Sequence, residues 1–407
     1  MKKRMYVNLC SVVIIMVICG CSGSRSQSAI TLKDCDMIAE RVMVGQNEVV
    51  VCDWAKAVQT MDFPLSELVE DFKLIKLDNS SQEYKVSTTN NFAVSASYIA
   101  SCGPDGPARI FDKEGKFIRQ IGSVGEGEEE YTPYASRVYI DERHQKVYIT
   151  GIYTPKQILM EYSLTDGSLL KKIPLPTRTM LESIYVDDDQ TIHFVHDPIK
   201  DFTEYLAWSQ NEKGEVIFSI PAKAYWSEDY YQPDQGNWEL SMTSLYPCGG
   251  KMTAFFERYF TVPDSLYHYQ PGQERLLPCF TVKFPNPESI PWHNYEEYTH
   301  YYMLTVYTGA AGSALPTKRM ILDKQTLRGA NIDLVVDELG DLSLKGAIYH
   351  LCNGYFYYNL SPDDLKGRIK KTLQKPELEE RQREKLNHIL EGISPNDNNY
   401  LMLGKLK

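Results

Sequence analysis

Arg109-Ile110-Phe111-Asp112-Lys113-Glu114-Gly115-Lys116-Phe117-Ile118-Arg119-Gln120-Ile121 reads as two short strands joined by a tight polar turn. Branched and aromatic residues suit the strands, and Asp followed by Gly suits the turn. The pattern recurs. Met160–Ser163 passes through Thr165-Asp166-Gly167 into Leu169–Ile173, and Leu206–Ser209 through Glu212-Lys213-Gly214 into Val216–Ile220. Leu266–Tyr269 passes through Gln270-Pro271-Gly272 into Leu276–Phe280, and a weaker copy runs Met320–Asp323 into the turn Lys324-Gln325-Thr326. The glycines at 115, 167, 214 and 272 lie 52, 47 and 58 residues apart, room for four short strands and their loops. That unit is one blade of a β-propeller.

Runs between these hairpins supply the other two strands of each blade. Phe92–Ser95 and Tyr98–Ser101 precede the first copy, and Arg137–Ile140 and Lys146–Thr150 the second. Ser183–Val186 and Thr191–Val195 precede the third, and Tyr349–Leu351 with Tyr355–Tyr358 read as the inner hairpin of the last blade. Five to seven blades fit and six fits best, which makes residues 46–407 an all-β, six-bladed propeller. One helix is expected near 376–391, from Pro376, the following glutamates and the stripe Leu386, Ile389, Leu390 and Ile393. A closing strand at about 399–406 would complete a blade begun at the other end of the chain, so that the ring leaves no open edge.

Three stretches resemble the six-bladed propeller lipoproteins of anaerobic gut bacteria, whose repeats are akin to NHL repeats. They are Pro64–Leu77, Ile110–Gly122 and the ending Asn398–Lys407. Where that family usually has Gly-x-Gly-Pro-Gly-Glu-Tyr, this chain has Gly125-Glu126-Gly127-Glu128-Glu129-Glu130-Tyr131. The resemblance implies a propeller and a cell-envelope address, and little chemistry.

The N-terminus carries its own address. Lys2, Lys3 and Arg4 precede the apolar run Val12–Ile18, and Ile18-Cys19-Gly20-Cys21 is similar to a bacterial lipobox. Residues 1–20 then form a lipoprotein signal peptide, Cys21 is the lipidated residue, and 21–45 are that cysteine and its tether. The apolar core is too short to span a bilayer, for which about 20 residues are needed. Ser22, rather than Asp, follows the cysteine. The expected place is the outer membrane, lipid-anchored and facing the periplasm, with the cell surface as the alternative.

The chain has a net charge of −11, and loss of the three basic residues of the signal makes it more negative still. Such a surface repels nucleic acid, and membrane contact falls to the lipid. Cys35, Cys52, Cys102, Cys248, Cys279 and Cys352 are scattered without a CxxC pair, as expected of small core residues.

No motif assigns catalysis, a metal or a cofactor. Gly122-x-x-Gly125-x-Gly127 lacks the Gly-Lys-Ser/Thr of a phosphate loop, and its glutamates oppose phosphate. His293 and His300 are seven apart, which does not align them on a helix face, and Asp187-Asp188-Asp189 lacks the glycine and distal glutamate of a calcium loop. The residues with most to offer are aromatic. Trp226, Tyr230, Tyr231 and Trp238 fall in one polar stretch, and Trp292 and Tyr295 in another, both read as long loops on one propeller face. The expected function is therefore a binding or scaffolding module for a glycan, peptide or envelope protein. The alternative is an envelope hydrolase or lyase with an acidic site at the propeller channel.

Overall fold

The computed structural model describes residues 31–407 apart from 105, 126, 132–136, 151–156, 178, 180–181, 201–202, 227–242, 257–263, 271–272, 274, 288–289 and 309–314. The signal peptide, Cys21 and the first part of the tether lie outside the described residues, as do Tyr230, Tyr231 and Trp238.

Six antiparallel sheets form the blades. Their innermost strands are Asn91–Val94, Arg137–Asp141, Ser183–Val186, Ser244–Cys248, His293–Glu297 and His350–Cys352, numbered here as blades 1 to 6. Blade 6 closes the ring. Its third strand is the chain's last, Tyr400–Leu406, and its outermost is Val69–Lys76 from the other end of the chain. Before reaching that position, the N-terminal segment runs along the outside of two blades. Asn47–Asp53 pairs in parallel with Arg275–Lys283 of blade 4, and Thr60–Pro64 with Gly329–Val336 of blade 5. This covers two outer edges that would otherwise present unpaired backbone.

The turn glycines show why the hairpin repeat was legible. Gly115, Gly167 and Gly214 have φ of +86°, +78° and +83°, a left-handed conformation that glycine adopts without strain. Each also presses on the preceding blade: Gly115 on the Lys76 carbonyl, Gly167 on that of Gln120, and Gly214 on that of Pro174. The residue opening each turn holds it. Asp112 Oδ1 accepts from the amides of Glu114 and Lys116, and Asn211 Oδ1 from those of Lys213 and Glu215. The turn is thus both a hairpin and a blade-to-blade contact.

Buried tyrosines join the blades nearer the axis. Tyr357 of blade 6 accepts from Phe92 N (3.3 Å), Tyr139 of blade 2 from Val186 N (3.3 Å), and Tyr246 of blade 4 from Glu297 N (2.7 Å). Each puts a ring into the interblade core and spends its hydroxyl on a neighbouring inner strand, so that little polar surface is left unpaired.

Two helices are present rather than one. Pro362–Thr372 (α1) and Glu380–Glu391 (α2) lie between the second and third strands of blade 6. The Ser361 hydroxyl accepts from Asp364 N, and Pro362 opens α1 with two acids in its first turn. Ser-Pro-Asp-Asp was a helix-start signal that the strand reading passed over. The second helix starts at Glu380, not at Pro376. Leu365, Ile369, Leu378 and Leu386 pack into the core shared by blades 5 and 6.

Trp292–Tyr302 is not the long loop that the sequence pattern suggests. His293–Glu297 is the inner strand of blade 5 and pairs with Tyr301–Thr308. His293, Tyr295 and Glu297 face blade 4, while Glu296 faces blade 6, which is the period of two. Its histidine and glutamates hid that period, because here polar side chains are buried in pairs between blades.

Candidate functional site

All six inner strands begin at the same end of the central channel. The loops from each outermost strand to the next blade open there too, as do those between second and third strands. This end is the mouth. At the opposite end the connections among the described residues are short hairpin turns.

The opposite end is lined by ion pairs. Glu297 accepts from Thr253 Oγ1 (2.7 Å), His268 Nε2 (2.9 Å) and Lys324 Nζ (2.6 Å), which hold its carboxyl down to about 2 despite burial. His193 Nε2 lies 2.8 Å from Asp187, and Lys171 bonds Glu212 at 2.8 Å. Ligand atoms of His268, Cys279 and Glu297 fall within 4.8 Å of one another, a spacing that a metal ion could use. The Lys324 ammonium already neutralises that carboxylate, and burial raises the proton affinity of the Cys279 thiol, so the donor set does not favour an ion. His293 and His300 do not converge: His293 is buried against Asp264 (3.0 Å) and the Pro291 carbonyl (2.7 Å).

The mouth is the reverse. Asn90 Oδ1, Arg137 Nε, Glu182 Oε1, Ser244 Oγ and Asn294 Oδ1 are buried with no hydrogen-bond partner among the described residues. Each lies at, or next to, the first residue of an inner strand, in five different blades. Native interiors leave few polar atoms unpaired, and other buried atoms without a partner, such as Tyr148 OH, His193 Nδ1 and Arg319 Nε, are scattered through the blades, whereas these five share one level. The sixth blade contributes His350, exposed and stacked on Tyr357 at 5.2 Å.

Three of these groups feel one another. Arg137 interacts with Glu182 and with Asp197, while burial works against its charge. The protein packed round the channel, with Arg137 beside it, lowers His350 to about 4 although part of its surface meets solvent, so the imidazole is neutral at pH 7. Arg137 belongs to blade 2 and His350 to blade 6, with blade 1 between them. Such an interaction runs through the channel. Glu182 is only 2 % exposed, so its carboxyl is an acceptor held out of water. The mouth therefore offers a guanidinium, two carboxyls and an uncharged imidazole around one axis.

The aromatic residues divide. Trp226 follows the outermost strand of blade 3 at the mouth, packs half-buried on the core between blades 3 and 4, and leaves Nε1 buried without a hydrogen-bond partner. Trp292 precedes the inner strand of blade 5 at the same end, half-buried against Tyr307 (5.2 Å). Tyr295 is fully buried among Phe255, Phe280 and His293 and belongs to the interblade core. Sequence reasoning missed Arg137, Glu182 and His350, whose only signal was a charged or ionisable residue at the head of an inner strand.

The glutamate loop has a structural role. Gly127 N donates to Glu130 Oε2 (2.8 Å), so the chain's own carboxylate takes the place an anion would occupy. Tyr131 OH donates to the Ile121 carbonyl (2.7 Å) and accepts from Ala108 N (2.6 Å), tying the loop to blade 1.

The fold and its channel define a six-bladed β-propeller with a polar mouth. Within that class, the chain belongs to the family described as a domain of unknown function, DUF4934, whose model matches residues 49–405. Its structure is similar to that of a candidate exported protein from Bacteroides fragilis (TM-score 0.59, 15 % identity), over 88 % of this chain and 99 % of that one. A member of the DUF4221 family from Bacteroides vulgatus matches at TM-score 0.41 and 10 % identity, over 84 % and 97 %. No curated protein is significantly similar in sequence.

Proposed function

We propose that this protein is a cell-envelope lipoprotein, anchored to the outer membrane through Cys21, whose propeller binds a glycan, peptide or envelope protein at the channel mouth. One observation carries the binding reading: at the mouth, Glu182 is buried and Arg137 half-buried, opposite in charge, and Glu182 Oε1 and Arg137 Nε are enclosed without a hydrogen-bond partner. Keeping such groups costs stability unless something gains from them. The same mouth carries Trp226 and Trp292. Export agrees with the Gly20-Cys21 signal and with the kind of protein that shares the fold.

The hydrolase or lyase reading would need an acid poised at this mouth. The inner-strand carboxyl with raised proton affinity is Glu296, pushed up to about 6 by burial, but it is bonded by Tyr349 (2.9 Å) and Tyr298 (3.1 Å) between blades 5 and 6. Binding is the reading the geometry favours. A thermal-shift screen of the mature chain against oligosaccharides, peptides and envelope extracts tests it, because a ligand of the native state raises the melting temperature with its concentration. Arg137→Met should abolish the shift; a shift unchanged in that variant would move the site elsewhere.

A further inference from the structure

Taking the mouth as the binding site, we infer that its ligand is a neutral, hydroxyl-rich one: an oligosaccharide, not an acidic glycan or other anion. Three observations converge on this class.

The first is charge. Glu182 and Asp197 set two carboxyls beside the Arg137 guanidinium. His350 adds no positive charge at neutral pH, and the chain as a whole is at −11. An anion would be repelled on approach by the chain's net charge.

The second is hydrogen-bonding capacity. Of the five unpaired atoms, those of Glu182, Asn90 and Asn294 only accept, Ser244 can do either, and only Arg137 Nε is purely a donor. A partner for such a site must bring donors. Sugar hydroxyls both donate and accept, so they can bond the carboxyl and amide oxygens and the guanidinium alike. Neutral His350 presents one donor and one acceptor nitrogen and suits a hydroxyl in the same way.

The third is surface. Trp226 and Trp292 are half-buried at the same end of the channel, where an indole face can lie against a sugar ring. Ammonium groups would also meet the acceptors, but Arg137 stands against a polycation.

The test uses the mature protein with named probes. Maltotriose, cellotriose and triacetylchitotriose represent neutral sugars, trigalacturonic acid an anionic one, spermidine a polycation and triglycine a peptide. Titration calorimetry and tryptophan fluorescence read binding, and melting temperature reads the fold. At least one neutral trisaccharide should bind, and Glu182→Gln should weaken it by about tenfold or more, the loss of one strong hydrogen bond. The variant's melting temperature should be equal or higher, because a buried unpaired carboxyl has been removed. Tighter binding of trigalacturonic acid, spermidine or triglycine would overturn the ligand class while leaving the mouth as a site. Neutral-sugar binding unaffected by Glu182→Gln would place the sugar elsewhere. Silence from every probe would overturn the ligand class, and a lowered melting temperature in Glu182→Gln as well would overturn the site.

Discussion

Gly115 lies against the carbonyl of Lys76, leaving no room for a Cβ, and its own carbonyl accepts from Asp78 N at 2.8 Å. The turn of the first blade is thereby locked to the strand that closes the last. Gly354, at a φ of +78° much like the +86° of Gly115, has open space around it. Gly354→Ala should cost only the backbone strain, about 1 kcal/mol. Gly115→Ala adds a steric clash with fixed backbone and should cost roughly 2–4 kcal/mol in all. Denaturant titration of the two variants checks this, and equal losses would mean that the turn does not bear on the neighbouring blade.

Glu296 is a carboxyl whose proton affinity the fold raises, to about 6 from an ordinary 4.5. Its folded form binds the proton more tightly than the unfolded chain does. Stability is therefore greatest below pH 4.5 as far as this residue is concerned, and falls by about 2 kcal/mol between pH 4.5 and 6. Glu296→Gln still accepts from Tyr298 and Tyr349 and removes the titration. The variant should match the parent at low pH, exceed it at pH 7.5, and lose that part of the pH dependence in melting curves.

Glu297, one residue along and facing the other way, behaves oppositely. Held down to about 2 by His268 and Lys324, it stabilises the fold fully above pH 4.5 and loses that contribution as pH falls toward 2, roughly 3 kcal/mol in all. Lys324→Met should raise the midpoint of acid unfolding. Zinc added to the parent protein at neutral pH should leave its melting temperature unchanged, since the ammonium occupies the position beside the carboxylate; a marked zinc-dependent rise would make the His268, Cys279 and Glu297 cluster a metal site after all.

Membrane attachment rests on one residue. Cys21→Ser should shift the protein from the membrane pellet to the soluble fraction and abolish incorporation of labelled fatty acid, with the propeller's melting temperature unaltered. Retention in the membrane without lipid would assign attachment to a protein partner.

The hairpins were legible because Asp112, Asn211 and the glycines three residues beyond them act locally, and their chemistry shows in the sequence. Tyr400–Leu406 was legible as a closing strand for a similar reason: an apolar run at the very end of a ring of blades needs a partner. The inner strand His293–Glu297 was not. Its His293, Glu296 and Glu297 are satisfied by Asp264, Tyr349, His268 and Lys324, residues of other strands and blades, so the pattern is intelligible only once the ring is closed. The mouth was harder still. Arg137, Glu182 and His350 are 45 and 168 residues apart along the chain, and only propeller geometry brings them round one axis.

That closure should behave as a single cooperative event. Tyr400–Leu406 lies between Tyr355–Leu360 and Val69–Lys76, bonded to both, with Leu401, Met402 and Leu403 buried. Deleting residues 399–407 removes an interior strand, leaving Val69–Lys76 without a partner in blade 6 and freeing the N-terminal belt from its far end. A frayed edge would cost little, but an absent third strand exposes the cores shared with blades 1 and 5. The truncated chain should therefore show no cooperative thermal transition and should be cleaved by protease throughout, not only near its end. A sharp transition at slightly lower temperature would mean that the other blades hold the ring without it.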